Sequence, residues 1–248
     1  MLLSDAQYEA YKHDGFIKVP AALDTQTVQA LLAEWRALWR AIETARDHRF
    51  VHWRNRIDGE RVADRLDPVS KLSETFSSVA HSAVLLGLAE RLLGGDAFVM
   101  KDKLITKRPG TAGYDLHQDW PYWEGTGVHA DDIVTVAVAL DPANAGNGAT
   151  AFYPALHSTI LERAASGFDP APDALTGLDH EIVELQAGDA VCFHSLTPHE
   201  SRPNNSSNPR RAWFITYARQ RADSDQIMER YWAALDDVHQ VHRREPAG

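Results

Sequence analysis

The texture of the chain changes near residue 97, and that change limits the possible folds more than any other feature. Before it, apolar residues recur at helical spacing: Val28, Leu31, Leu32, Trp35, Leu38 and Trp39 fall three or four apart behind Asp24. Ser4 and Gly15 bracket a shorter helix, residues 16–19 read as a strand stopped by Pro20, and residues 83–93 read as a helix closed by Gly94 and Gly95. After it, β-type runs at 97–105, 133–140, 150–153, 181–185, 190–194 and 213–218 alternate with turns such as Pro109-Gly110 and Asn147-Gly148. Helices first and many short strands later predict a mainly β chain with flanking helices, an α+β jelly roll. The expectation is one domain over 1–248, with 1–96 largely the helical flank and 97–220 most of the β core. A polar stretch carrying Arg54, Arg56 and Arg61 gives weak structural signals. Residues 167–179 read equally as a lid or a surface connection, and 231–241 as a terminal helix.

Composition removes several function classes. With 25 Lys+Arg against 35 Asp+Glu, the net charge is −10, which argues against non-specific binding to nucleic acid or anionic lipid. It also hints, weakly, against a strongly anionic substrate. No apolar run reaches the length of a membrane-crossing helix. Met1–Ser4 lacks a basic segment leading into an apolar run, so the expected location is the cytoplasm. Cys192 is the single cysteine, too few for an intramolecular disulfide or a cysteine-rich zinc site. A small-molecule substrate is expected, without nucleic-acid or membrane partners; the oligomeric state stays open.

Among the 12 histidines, two stand in a His-x-Asp pattern that chance readily supplies: His117-Gln118-Asp119 and His129-Ala130-Asp131. Context separates them. On a strand, residues i and i+2 share a face, so His117 and Asp119 can offer an imidazole and a carboxylate to one cation. His199 follows a turn, an apolar strand and a short polar exit, and can supply a third ligand from a distant strand; His194 is its rival. Two histidines and one carboxylate leave three positions open on an octahedral metal, the facial arrangement of non-haem Fe(II) oxygenases. Eleven residues beyond His199 lies Arg210, whose planar guanidinium can hold a carboxylate at two points, with Ser201 as a further donor. Arg211 points to the opposite face and is the alternative. His129-Ala130-Asp131 reads as an exposed loop. Trp120-Pro121-Tyr122-Trp123 fits a substrate wall or core packing, and Arg54, Arg56 and Arg61 fit a solvated face or an anion site.

His117-Gln118-Asp119, the region Asn147-Gly148, Pro154 and His157, and His199 through Asn204 followed by Arg210-Arg211 together resemble the phytanoyl-CoA dioxygenase family, as does the opening Tyr11–Phe16. The resemblance implies a double-stranded β-helix of cupin-like type, an Fe(II) cofactor, and 2-oxoglutarate and O2 as cosubstrates. It places His117, Asp119 and His199 on the iron, Arg210 and Ser201 on the distal carboxylate of 2-oxoglutarate, and Lys103 near the cosubstrate pocket. Glu200 stands where members often have glycine, and Val138 where some have an aromatic neighbour of the cosubstrate. The carboxylate of Asp119 favours hydroxylation over halogenation, with succinate and CO2 released; desaturation, epoxidation and ring formation need the same ligands. A metal-dependent isomerase or lyase, or a non-catalytic binding module, are the competing readings.

Overall fold

The computed structural model describes residues 3–45, 50–164, 167, 169–171 and 173–244. Helix α1 (Asp5–Asp14) begins with a reciprocal cap, in which Ser4 Oγ accepts from Gln7 N–H and Gln7 Oε1 accepts from Ser4 N–H. Gly15, at φ 82°, ends it in the left-handed conformation, and β1 (Phe16–Val19) follows. Then come α2 (Thr25–Ala45), β2 (Val51–Asn55), β3 (Arg61–Leu66), α3 (Glu74–Ala80), α4 (Ala83–Leu93) and β4 (Ala97–Lys107). The remaining strands are β5 (Tyr114–His117), β6 (Ile133–Ala139), β7 (Thr150–Phe152), β8 (Glu181–Ile182), β9 (Ala190–His194), β10 (His199–Ser201) and β11 (Arg210–Arg219), before α5 (Ser224–Arg244).

Two antiparallel sheets face each other: a seven-stranded one in the order β1-β9-β6-β11-β4-β3-β2, and a four-stranded one in the order β5-β10-β7-β8. This is the mainly β jelly roll with flanking helices. The first 96 residues supply most helices and also β1, β2 and β3 of the larger sheet. Strands β2 and β3 and helix α3 fall in the polar stretch where apolar periodicity is thin.

Strand alternation sorts the larger sheet into two faces. Trp213, Ile215 and Tyr217 of β11 and Val134, Val136 and Val138 of β6 face the helices, where they pack with Leu31, Phe76 and Leu85. Burying each such side chain contributes roughly 1.5–3 kcal/mol. Phe76 meets Trp213 edge to face with ring centroids 5.0 Å apart, while the indole N–H of Trp213 donates to buried Asp102. The opposite face looks into the barrel. There Ala137 and Ala139 of β6 pack with Phe152, Val191, Phe193 and partly buried Phe214. Val138 packs in the helix-side core and also borders, with Ala137 and Ala139, the narrow cavity that Arg210 lines.

Candidate active site

Both candidate histidines sit where the smaller sheet opens. Strands β5 and β10 pair antiparallel with His117 opposite His199, and the two imidazole centroids lie 4.1 Å apart. Each ring is fixed by a hydrogen bond from Nδ1 to a backbone carbonyl two residues earlier, Asp115 O at 2.8 Å and Thr197 O at 2.9 Å. A carbonyl only accepts, so Nδ1 carries the proton and the Nε2 lone pair is left for a ligand role.

Asp119 joins them by a route different from a continuous strand. β5 stops at His117, and Asp119 has helical backbone angles (φ −73°, ψ −39°) at the start of a single 3-10 turn, Trp120–Tyr122. Gln118 turns away, donating to Thr159 O and Leu196 O and accepting from Leu161 N–H. Those three bonds tie neighbouring loops to the motif and orient the residues on either side. The carboxylate of Asp119 lies 3.9 Å from His117 Nε2 and accepts from Thr135 Oγ1 at 3.5 Å. One ligand atom from each of His117, Asp119 and His199 falls within 4.8 Å of the others, as three ligands of one cation require.

The protonation states suit a metal. Burial pushes the Asp119 carboxyl up, but Lys103, His199 and His117 outweigh it and hold it below its ordinary value. Burial, reinforced by His117, lowers His199 to about 3, against the pull of Asp119. An anionic carboxylate beside a neutral imidazole is the deprotonated ligand set that a divalent cation needs. His194 stands apart, with Nε2 3.2 Å from Asp131 and its ring beside His157. His129 is exposed on a loop.

Arg210 opens β11 opposite Lys107, 4% exposed, at the end of a narrow cavity walled by Ala137, Ala139, Val191, Ala212 and Phe214. Arg210 Nε has no hydrogen-bond partner among the described residues. Burial without a paired anion pulls its pKa below the ordinary guanidinium value. A buried, under-bonded guanidinium in an apolar-walled cavity is a donor that a carboxylate completes. Arg211 points outward, paired through two nitrogens to Asp141 and stacked on Trp35. Ser201 Oγ accepts from Lys107 Nζ at 2.7 Å, and the same ammonium donates to Arg202 O at 2.7 Å. Gly113 makes room for this junction, since a Cβ there would lie 2.1 Å from Ser201 O. Glu200 faces the other side of β10 and accepts from the Tyr153 hydroxyl, so a side chain larger than glycine is accommodated.

The lysine beside Arg210 is thus Lys107, which the sequence reading passed over. Lys103 pairs in register with Phe214 and lines a separate open cleft of about 350 Å³ together with His117 and Asp119. Arg65, Lys101, Tyr122 and Trp123 line the same cleft. Of the three arginines singled out in sequence, Arg54 lines it, Arg56 pairs with Asp58 and Glu60, and Arg61 is exposed. Trp120 packs against the α5 side, so the aromatic cluster divides between wall and core. The suggested lid includes residues 168 and 172, outside the described residues; Asp169 accepts from the Tyr122 hydroxyl at the cleft, and Leu175 packs against Leu116 and Tyr153.

The phytanoyl-CoA dioxygenase (PhyH) family profile matches residues 11–212. The chain belongs to that family. It is 32% identical over 235 residues to the methylphosphonate hydroxylase of Gimesia maris, covering 93% of this chain and 86% of that one. It is 28% identical to a 2-aminoethylphosphonate dioxygenase from uncultured bacterium HF130_AEPn_1, over 86% of this chain and 80% of that protein. The crystal structure of EctD from S. alaskensis with 2-oxoglutarate and 5-hydroxyectoine superposes with a TM-score of 0.74 at 19% identity, covering 88% and 76% of the two chains, and shows the fold. Like other members of the phytanoyl-CoA dioxygenase family, the protein is an Fe(II)- and 2-oxoglutarate-dependent dioxygenase that uses O2. That assignment displaces the isomerase, lyase and binding-module alternatives.

Proposed function

We propose that this dioxygenase hydroxylates an unactivated C–H bond of a small, free organic molecule held in the open cleft, with His117, Asp119 and His199 as the iron ligands. The observation that carries the reading is the shared barrel interior: the three ligands at its mouth, and Arg210 at the end of a carboxylate-free cavity. Bound Fe(II) and 2-oxoglutarate supply the oxidising chemistry, one oxygen atom of O2 entering the substrate hydroxyl and the other succinate as CO2 leaves. The chain's own residues position and protect. Arg210 takes the distal carboxylate of the cosubstrate, Ser201 lies beside it in the grip of Lys107, and the alanine walls exclude water from the cosubstrate arm. Asp119 retains a carboxylate where halogenating chemistry needs an open coordination position, which supports hydroxylation. The names of the two phosphonate-oxidising relatives support a free, polar substrate of few atoms.

The test is an anaerobic titration of apoprotein with Fe(II) and then 2-oxoglutarate, followed by visible absorbance. Wild type should develop a metal-to-ligand charge-transfer band, His199→Ala should not, and Arg210→Ala should require far more cosubstrate. Succinate release on substrate screening would then accompany formation of a hydroxylated product. Iron binding without a band in wild type would overturn the reading, as would a desaturated or cyclised product.

A further inference from the structure

We propose that Lys107 is a positioning residue of the cosubstrate pocket: it holds Ser201 so that the hydroxyl can only donate, toward the carboxylate that Arg210 receives. The inference rests on the dioxygenase reading and deepens its inner site. Lys107 pairs with Arg210 across β4 and β11, and residues paired in this way share a face of the sheet. From there its side chain crosses to the smaller sheet. The ammonium donates to Ser201 Oγ and Arg202 O, each at 2.7 Å, and to Gly148 O at 3.3 Å. An ammonium carries three N–H groups, and these three acceptors take them all. Lys107 therefore keeps no donor of its own for a carboxylate and reaches one through Ser201.

Ser201 pairs with Thr150 across β10 and β7, and Thr150 lines the same narrow cavity as Arg210, so Ser201 points to that side of the sheet. Its oxygen accepts from Lys107 Nζ at 2.7 Å and from Tyr114 N–H at 3.4 Å. A hydroxyl has two lone pairs and one proton. Both lone pairs are taken, and the proton has no acceptor among the described residues. A buried hydroxyl with an unspent proton is a donor that an anion completes. Two further residues serve the same junction. A Cβ on Gly148, at φ 75°, would lie 2.3 Å from Arg202 O and 2.8 Å from Lys107 Nζ, so glycine admits the ammonium. Fully buried Asn204 donates to Lys107 O at 2.8 Å and fixes the backbone from which the side chain starts. The Asn147-Gly148 turn and the run from Ser201 to Asn204, far apart in sequence, thus meet at one lysine.

Anaerobic calorimetry on the Fe(II) enzyme tests this with two probes, 2-oxoglutarate and 2-oxopentanoate. The second keeps the metal-chelating end and the chain length but lacks the distal carboxylate. Ser201→Ala should weaken 2-oxoglutarate about tenfold and leave 2-oxopentanoate as in wild type. Lys107→Met should do the same, and in the Ser201→Ala background it should cost less than about threefold, because the two residues act as one unit. Lys107→Gln, which keeps a neutral polar group in the pocket but is too short to reach Ser201, repeats the test if the methionine variant does not fold. A tenfold cost of Lys107→Met in both backgrounds overturns the proposal, since the lysine would then act by its own charge. So does equal weakening of both probes, the mark of a packing defect, and so does wild-type affinity for 2-oxoglutarate in either single variant. A wild type that binds iron but no 2-oxoglutarate fails the dioxygenase reading; one that binds it and is indifferent to both substitutions fails this inference alone.

Discussion

Lys103 and Lys107 stand four residues apart on one face of β4, yet they occupy opposite kinds of environment. Lys107 is fully buried beside Arg210, and its ammonium donates to a hydroxyl and two backbone carbonyls, with no carboxylate bonded to it. Lys103 looks into an open cleft, with Phe214 under its ammonium. Burial lowers both, Lys107 to about 7 with Arg210 adding to the effect, and Lys103 to about 8 with Asp119 opposing it. The inner cavity is narrow and walled by alanines with Val138, Val191 and Phe214. The outer cleft is open and bounded by longer side chains, among them Arg54, Arg65, Lys101 and Lys103. One β-strand therefore carries one lysine to the inner cavity and another to the outer cleft.

The largest effects should come from the ligands that serve both halves. Asp119→Ala should lower turnover about a thousandfold or more, and metal analysis of the purified variant should show weakened iron retention. Wild-type turnover in that variant would remove Asp119 from the site. Arg210→Met should act on the inner half alone. Leaving a carboxylate without its buried partner costs about 2–5 kcal/mol, so KM for 2-oxoglutarate should rise on the order of 100-fold. Iron retention should not move; if iron retention and cosubstrate affinity fell together, the inner half would not be separate from the metal ligands. Gly113→Ala should be milder. A methyl group forced against Ser201 O costs about 1–3 kcal/mol of stability, and a melting curve should shift down by a few degrees. Its cosubstrate affinity should weaken with it, because β5 and β10 cannot stay as close; an unchanged melting temperature would show that the strands adjust freely.

How much of this was legible in the sequence depended on whether a residue's role followed from local pattern. Ser4 and Gly15 bracket α1, and residues 83–93 form a helix with the expected ends, because caps and apolar periodicity act within one turn. The clustering of His117, Asp119 and His199 was readable from spacing and resemblance. The route to Asp119 was not, since nothing in His-Gln-Asp announces that the strand ends before the carboxylate and a 3-10 turn supplies the approach. Strands β5 and β10 are four and three residues long and rich in polar groups, so they give no alternation to detect. Arg65 and Lys101 reach the cleft through the neighbouring register of β3 and β4, a long-range pairing invisible to local reading. Lys107 was missed for a related reason: Arg210 lies opposite it only after β11 pairs with β4.

The finest test of the contrast between the two lysines is the pH dependence of apoprotein stability. Lys107 has a folded pKa of about 7, below the ordinary lysine value of 10.5 that it regains on unfolding. Below about pH 7 both states hold the proton, and the cost of burying the charge is fully present. Between there and the ordinary lysine range the unfolded chain binds more protons, so this group makes the folded protein more stable as pH rises. Lys107→Met removes the titration, and its urea midpoint should lack that rising component when compared with wild type at about pH 6.5, 8 and 9. Arg210→Met should shift the rise to higher pH, because the neighbouring guanidinium is part of what depresses Lys107. Saturating 2-oxoglutarate should flatten the wild-type curve, since an anion at Arg210 favours the protonated amine. Parallel curves for wild type and Lys107→Met would show that Lys107 is neutralised in the folded protein by a charge other than the cosubstrate, and the inner site would lose its claim to be an unpaired pair of cations.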